Sequence, residues 1–151
     1  MSGELAMDDS ADVRWKQRFE NYKKALAVLR RGLESVSPEK EVDEFQKLGI
    51  IQAFEFTQEL SWKVLEDFIT NSGGGEKIYG SKDAVRQAFN RSLISDGETW
   101  MDMIDLRNES SHLYDETTSD KIFSKISSLY LPCFSALEKT LSDLAGQEKD
   151  E

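Results

Sequence analysis

An arginine and the only histidine of the chain stand five positions apart in the segment DLRNESSHLYDE, residues 105–116, with Tyr114 two places beyond His112. Arginine is a permanently charged, fork-shaped donor suited to phosphate, and histidine gives and takes protons near neutral pH. Arg107 and His112 are therefore the parts of a phosphodiester-cleaving site. On an uninterrupted helix five residues turn through about 140°, which points the two side chains apart. They converge if the helix ends near Ser110, and the serines, aspartate and threonine of this stretch favour a turn before a new helix. A polar helix end carrying a structural histidine has the same spacing, so the residues alone leave both readings open.

Other chemistry is harder to build. One His and one Cys, at positions 112 and 133, cannot supply the four ligands of a zinc site from this chain. Asp102 with Asp105, and Glu55 with Glu59, have helical spacing suited either to holding magnesium or to a solvated face. The loop NSGGGEKIYGS lacks the Gly-Lys-Ser/Thr ending of a phosphate-cradling P-loop and reads as a flexible connection. No Ser or Cys stands out as a nucleophile for His112.

The elements that must position these residues are helical. The 151 residues suit one domain able to bury roughly 70% of its unfolded surface. The 38% hydrophobic and 32% charged composition fits a helical protein with charged outer faces. No apolar run reaches the roughly 20 residues of a membrane span, and the acidic start lacks the features of a signal peptide, so the expected address is the cytoplasm. A single cysteine fits a reducing compartment. The net charge of −10 opposes broad binding to nucleic acid, although Lys16, Lys23, Lys24, Arg30 and Arg31 gather positive charge on the first helix.

Trp15, Phe19, Tyr22, Leu26 and Leu29 trace one apolar stripe over a helix from Val13 to Leu33, with Gly32 and the residues after it as the stop. Ser37, Pro38 and Glu39 look like the start of a second helix that reaches Thr70 and spans about 50 Å. Its apolar residues occupy more than one face, which makes it the central helix, and Gly49 marks a bend or a close contact. Ser81 is expected to cap a short helix with Ala84, Val85, Ala88 and Phe89 inward. Asp96 should cap the next, which carries Trp100, Met103 and Ile104. A last helix from Thr117 or Thr118 to Leu144 is expected to kink at Pro132. The sum is an all-α, four- to five-helix up-and-down bundle over residues 12–144, with flexible ends at 1–11 and 145–151.

The segments RWKQRFENYKKAL, LGIIQAFEFTQELSWKVLEDF, SKDAVRQAF, WMDMIDLRN and SHLYDE, in this order, resemble the nucleotidyltransferase substrate-binding proteins, a branch of the HEPN superfamily. RNESSHLY fits the superfamily's arginine, polar residue and histidine pattern, with a tyrosine two places on. The resemblance implies a HEPN-like bundle, usually a homodimer, bound to a minimal nucleotidyltransferase encoded by a neighbouring gene. It also implies a metal-independent endoribonuclease toxin acting on RNA with no cofactor, with Arg107 and His112 catalytic and Asn108 and Asp105 supporting. The nucleotidyltransferase, acting as antitoxin, would neutralise it by binding or by AMPylation of Tyr114. The alternative within the family is a non-catalytic substrate-binding adaptor.

Overall fold

The computed structural model describes residues 2–37, 39, 41–73, 77–109 and 116–150. Among them the secondary structure is helical: α1 (Ser2–Glu34), α2 (Glu44–Ser72), α3 (Gly80–Asn90), α4 (Gly97–Glu109), α5 (Glu116–Lys125) and α6 (Leu131–Asp150). A π-helical segment, Ile126–Tyr130, joins α5 to α6. The protein is thus an all-α bundle of five helical rods.

The stripe read from the first helix is the core face of α1, where Trp15, Phe19, Tyr22, Leu26 and Leu29 are all buried. α1 and α2 run antiparallel. Trp15, near the start of one, meets Phe68, near the end of the other, edge to face at 5.0 Å. At the opposite end an α2 side chain packs on the α1 backbone. A Cβ on Gly32 would lie 3.0 Å from Ile50 Cγ1, so Gly32 is a contact point inside α1 rather than its stop. The helix ends two residues later, where the Ser35 backbone N–H donates to the Arg31 carbonyl and the Ser35 hydroxyl to that of Gly32. At its other end α1 takes in residues 2–11, which had been set apart as a tail.

The second helix starts later than its sequence suggests. Ser37 accepts a hydrogen bond from the Glu39 N–H, but α2 begins at Glu44, where the Asp43 carboxylate accepts from the Phe45 N–H at 3.0 Å. Pro38 lies outside the described residues. Residues 39, 41, 43 and 44 are exposed and supply no face to pack, and a short helical turn without tertiary support is marginal. Gly73, with φ of +73°, closes α2 in a conformation that favours glycine. The expected contact at Gly49 is missing: a Cβ there would meet nothing within 4 Å.

α3 starts at Gly80, so Ser81 sits inside the first turn. No side chain caps the free amides of α3; Asp83 of its first turn instead reaches back to accept from the N–H of the N-cap residue Tyr79 at 2.9 Å. Phe89 is half-exposed rather than inward, its ring lying over Gly97. α4 is capped as expected: Asp96 accepts from the Thr99 N–H at 3.2 Å and the Thr99 hydroxyl at 2.6 Å, and Trp100, Met103 and Ile104 are buried. In the last rod the missing N–H of Pro132 is accommodated by the π segment, in which the Leu131 N–H reaches back five residues to the Ile126 carbonyl. That register shift stands where a kink was expected, and α6 continues past Leu144 to Asp150.

Aromatic rings bind the rods into one core. Phe54 of α2 stacks on Tyr130 at 5.4 Å, and Trp100 of α4 meets Phe134 of α6 edge to face at 5.8 Å. The Tyr22 hydroxyl spans the core to donate to the Phe134 carbonyl at 2.7 Å, and its buried phenol is pushed well above the ordinary tyrosine range by burial.

Candidate functional site

The site is built on the last turn of α4. The first half of that helix is fixed by its cap, by buried Trp100 and by Asp102, whose Oδ2 accepts from the Tyr130 hydroxyl at 2.6 Å and from Lys125 at 3.2 Å. The Tyr130 hydrogen bond leads in holding the Asp102 carboxyl below its usual range, against the opposing effect of burial, with Lys125 adding to it. With Met103, Ile104 and Leu106 packed inward, the helix axis is set, and so is the direction in which Arg107 leaves it.

Arg107 is half-buried. Its charge acts on Glu59 of α2. Burial alone would raise the Glu59 carboxyl; hydrogen bonds from Lys63 and Trp62, followed by the charges of Lys63 and Arg107, bring it below the ordinary range. Lys63 Nζ lies 3.1 Å from one Glu59 oxygen and Trp62 Nε1 donates to the other at 3.2 Å. The Glu59 carboxylate, held by Lys63 and Trp62, is thus within reach of the Arg107 charge, which is the last of the influences on it.

Asp105 is placed elsewhere. Two residues along a helix differ by about 200°, and the Asp105 carboxylate is exposed, 3.0 Å from Lys82 of α3. Asn108 is exposed beside Arg107. His112 and Tyr114 lie outside the described residues. In the sequence, Glu59 reads with Glu55 either as a magnesium ligand or as part of a solvated face. Its i, i+3 and i, i+4 neighbours Trp62 and Lys63 were the available signal, but their spacing also describes a solvated ion pair; only the tertiary approach of α4 gives it a role.

Other candidate chemistry has partners of its own. Among the described residues no three His, Cys, Asp or Glu side chains gather as a metal site. The Cys133 thiol is buried and pushed up to about 11 by burial and by the charge of Asp96, which leaves it protonated at neutral pH. The basic face of α1 is largely neutralised: Lys16 pairs with Asp12, Lys23 with Glu20, and Arg30 with Glu138. Among the described residues no helix is long and apolar enough to cross a membrane.

The family model described as nucleotidyltransferase substrate binding protein like matches residues 17–143. The chain belongs to this family. Within the nucleotidyltransferase substrate-binding-protein family it is similar to a Haemophilus influenzae protein named probable ribonuclease HepT, with 34% identity over 96 residues. That match covers 60% of this chain and 64% of the relative, so the chain spans less than two thirds of the relative's length. A solved Haemophilus influenzae structure, described as revealing the fold of a substrate-binding domain of a nucleotidyltransferase, superposes with a TM-score of 0.75 at 28% identity. It covers 82% of this chain and 98% of its own. A Thermus thermophilus structure superposes with a TM-score of 0.64 at 26% identity, covering 81% of this chain and 96% of its own. The family match begins just after Trp15 and ends just beyond Leu141, so it contains most of the five-rod core, with α4 and the 105–116 segment.

Proposed function

We propose that this member of the family is the HEPN-type partner of a minimal nucleotidyltransferase and a metal-independent endoribonuclease, with Arg107 and His112 as its catalytic pair. The observation that carries the reading is the setting of Arg107: a half-buried guanidinium on a braced helix end, its charge felt at the Glu59 carboxylate, five residues before the only histidine of the sequence. The name of the curated relative, probable ribonuclease, supports the same chemistry.

Cleavage through the ribose 2′-hydroxyl needs a base for the nucleophile and an acid for the leaving oxygen. Neutral His112 takes the 2′-hydroxyl proton as O2′ bonds to phosphorus. As the bond from phosphorus to O5′ breaks, protonated His112 of a second copy gives its proton to O5′. The products are a 2′,3′-cyclic phosphate and a 5′-hydroxyl. Each chain has one histidine, so the full acid–base pair calls for a homodimer with a shared cleft. Arg107 stabilises the extra negative charge on the phosphorane-like transition state, and Asn108 holds the turn or a phosphate oxygen.

Neutralisation follows from the neighbouring tyrosine. The Tyr114 hydroxyl attacks the α-phosphorus of ATP in the nucleotidyltransferase site, pyrophosphate leaves, and the new phosphodiester occupies Arg107 with its own charge. Incubation with the nucleotidyltransferase and ATP is expected to add about 329 Da per AMP to wild type and nothing to Tyr114→Phe. Equal modification of Tyr114→Phe would reject that assignment.

The purified protein with RNA in EDTA, alone and with its nucleotidyltransferase, tests the enzyme reading. Cleavage by wild type and its loss in Arg107→Ala and His112→Ala are expected. A second reading, a non-catalytic adaptor of the nucleotidyltransferase, is favoured by the net charge of −10 and by the substrate-binding description of the Haemophilus influenzae structure. It is adopted if wild type, alone, leaves RNA intact.

A further inference from the structure

A groove of about 740 Å³ lies between α3 and α4, within the size range of occupied binding sites. Its floor is apolar: Val85 and Phe89 from α3, and Met101 from α4. The Phe89 ring owes its position to Gly97. A Cβ there would lie 3.2 Å from the ring, so the glycine lets the ring rest on the first turn of α4 with 49% of the residue in water. Four carboxylates and one guanidinium line the same groove, and most of them are occupied. Arg86 is bound to Asp83 on the α3 side. Asp96 accepts from Thr99, and Asp102 from Tyr130 and Lys125. That leaves Glu98 and Asp105, both on α4. Glu98 is exposed and pairs with no cation among the described residues. Asp105 has its solvent-exposed contact with Lys82, a kind of pair that contributes little.

We propose that this groove docks a basic amphipathic helix of a partner protein. Glu98 and Asp105 are seven positions apart, about 10 Å along α4, and Met101 stands between them. The complementary ligand therefore presents two cations about 10 Å apart with a large apolar side chain midway. A helix lying along α4 supplies this with lysine or arginine at two positions seven apart and leucine or methionine between them. The apolar side chain enters between Phe89 and Met101. The two cations reach Glu98 and, in exchange for Lys82, Asp105. Two observations favour a basic protein helix over other occupants. The net charge of −10 attracts a cation and repels the phosphates of a nucleic acid. A second copy docked here through the same face would set one acidic strip against another, with like charges opposed. The groove also opens away from the candidate site, because Asp105 and Arg107 are about 200° apart around α4. Docking leaves Arg107 uncovered, so the inference stands apart from the ribonuclease chemistry.

The test titrates the 151-residue chain with a labelled helical peptide, read by fluorescence anisotropy. The peptide carries two lysines seven positions apart and a leucine midway, on a background of alanine and glutamine. Saturable one-to-one binding is expected, lost when the lysines become glutamate or the leucine becomes serine. Glu98→Lys and Phe89→Ser should each weaken it by at least about tenfold. Glu34→Lys, the same change of charge at the exposed end of α1, should leave it unchanged. Circular dichroism checks the helical content of each variant; if Phe89→Ser unfolds, the exposed Glu98→Lys decides. No binding to wild type, undiminished binding to folded Glu98→Lys, or equal weakening by Glu34→Lys would overturn the inference. Binding that survives loss of the leucine would reduce it to general charge attraction and overturn it as well. Self-association of peptide-free wild type that Glu98→Lys removes would give the groove to a second copy instead.

Discussion

The two ends of α4 differ in what their polar groups are for. At the start, Asp96 is occupied by Thr99, and six residues on Asp102 is occupied by Tyr130 and Lys125; buried Trp100 lies between them. At the end, Arg107 stands half-buried with its charge acting on Glu59, Asn108 is exposed, and the exposed Glu109 lies 3.5 Å from Lys121. The first end spends its side chains on holding the helix in place. The second presents a charge whose position that bracing defines. Changes at the first should therefore move stability, and changes at the second should move activity at constant stability.

The largest effect is expected at Trp100. Replacing this buried ring by alanine should cost about 3–5 kcal/mol in denaturant unfolding, through lost burial and a cavity beside Phe134. Arg107→Ala should instead lower RNA cleavage about a hundredfold or more, the equivalent of roughly 2.7 kcal/mol, with the unfolding midpoint unchanged. If Arg107→Ala unfolds the bundle as Trp100→Ala does, the two ends are not distinct. Glu59→Gln keeps the shape of the side chain and removes its charge; the expected outcome is about a tenfold fall in cleavage through a less well-held guanidinium. An unchanged rate would show that Glu59 does not orient Arg107.

Tyr130→Phe should cost about 1 kcal/mol near neutral pH by removing one hydrogen bond. Its pH dependence fixes the mechanism. Because the folded Asp102 carboxyl is held below its ordinary value, its contribution is present above about pH 4 and is lost as the pH falls through the folded value. The phenol acts in the other direction. Tyr130 is raised by burial and then by its hydrogen bond to Asp102, so its contribution holds below about pH 10 and is lost at higher pH. Wild type and Tyr130→Phe should therefore differ least at the two extremes in pH-dependent denaturation. Breaking the exposed pair at the α3 face by Lys82→Ala should change stability by less than about 0.5 kcal/mol and leave cleavage untouched. A large loss of cleavage there would restore Asp105 to the site.

The legibility of these regions in the sequence differs for physical reasons. α1 has a single apolar stripe and a single solution, so each of its five stripe residues is buried. The Asp96 cap is local chemistry and is likewise readable. α2 has apolar residues on several faces, and periodicity cannot tell the face that meets this chain from the one bearing Phe45 and Phe56. Its start was misread because Ser37 and Asp43 both carry cap chemistry, while packing of Ile50 and Ile51 supports only the later one. At the site, Arg107 was readable from residue type and spacing. Glu59 was not, because its local partners Trp62 and Lys63 look the same on any solvated helix, and its relation to Arg107 exists only once α4 is laid against α2.

The most direct measurement of the central claim is the chemistry of the RNA ends produced in EDTA by purified wild type and by His112→Ala. Wild type should yield fragments ending in a 2′,3′-cyclic phosphate and beginning with a 5′-hydroxyl, and folded His112→Ala should yield fewer than about one hundredth as many. Intact RNA with wild type, cleavage that stops on chelation, or equal cleavage by His112→Ala would contradict it.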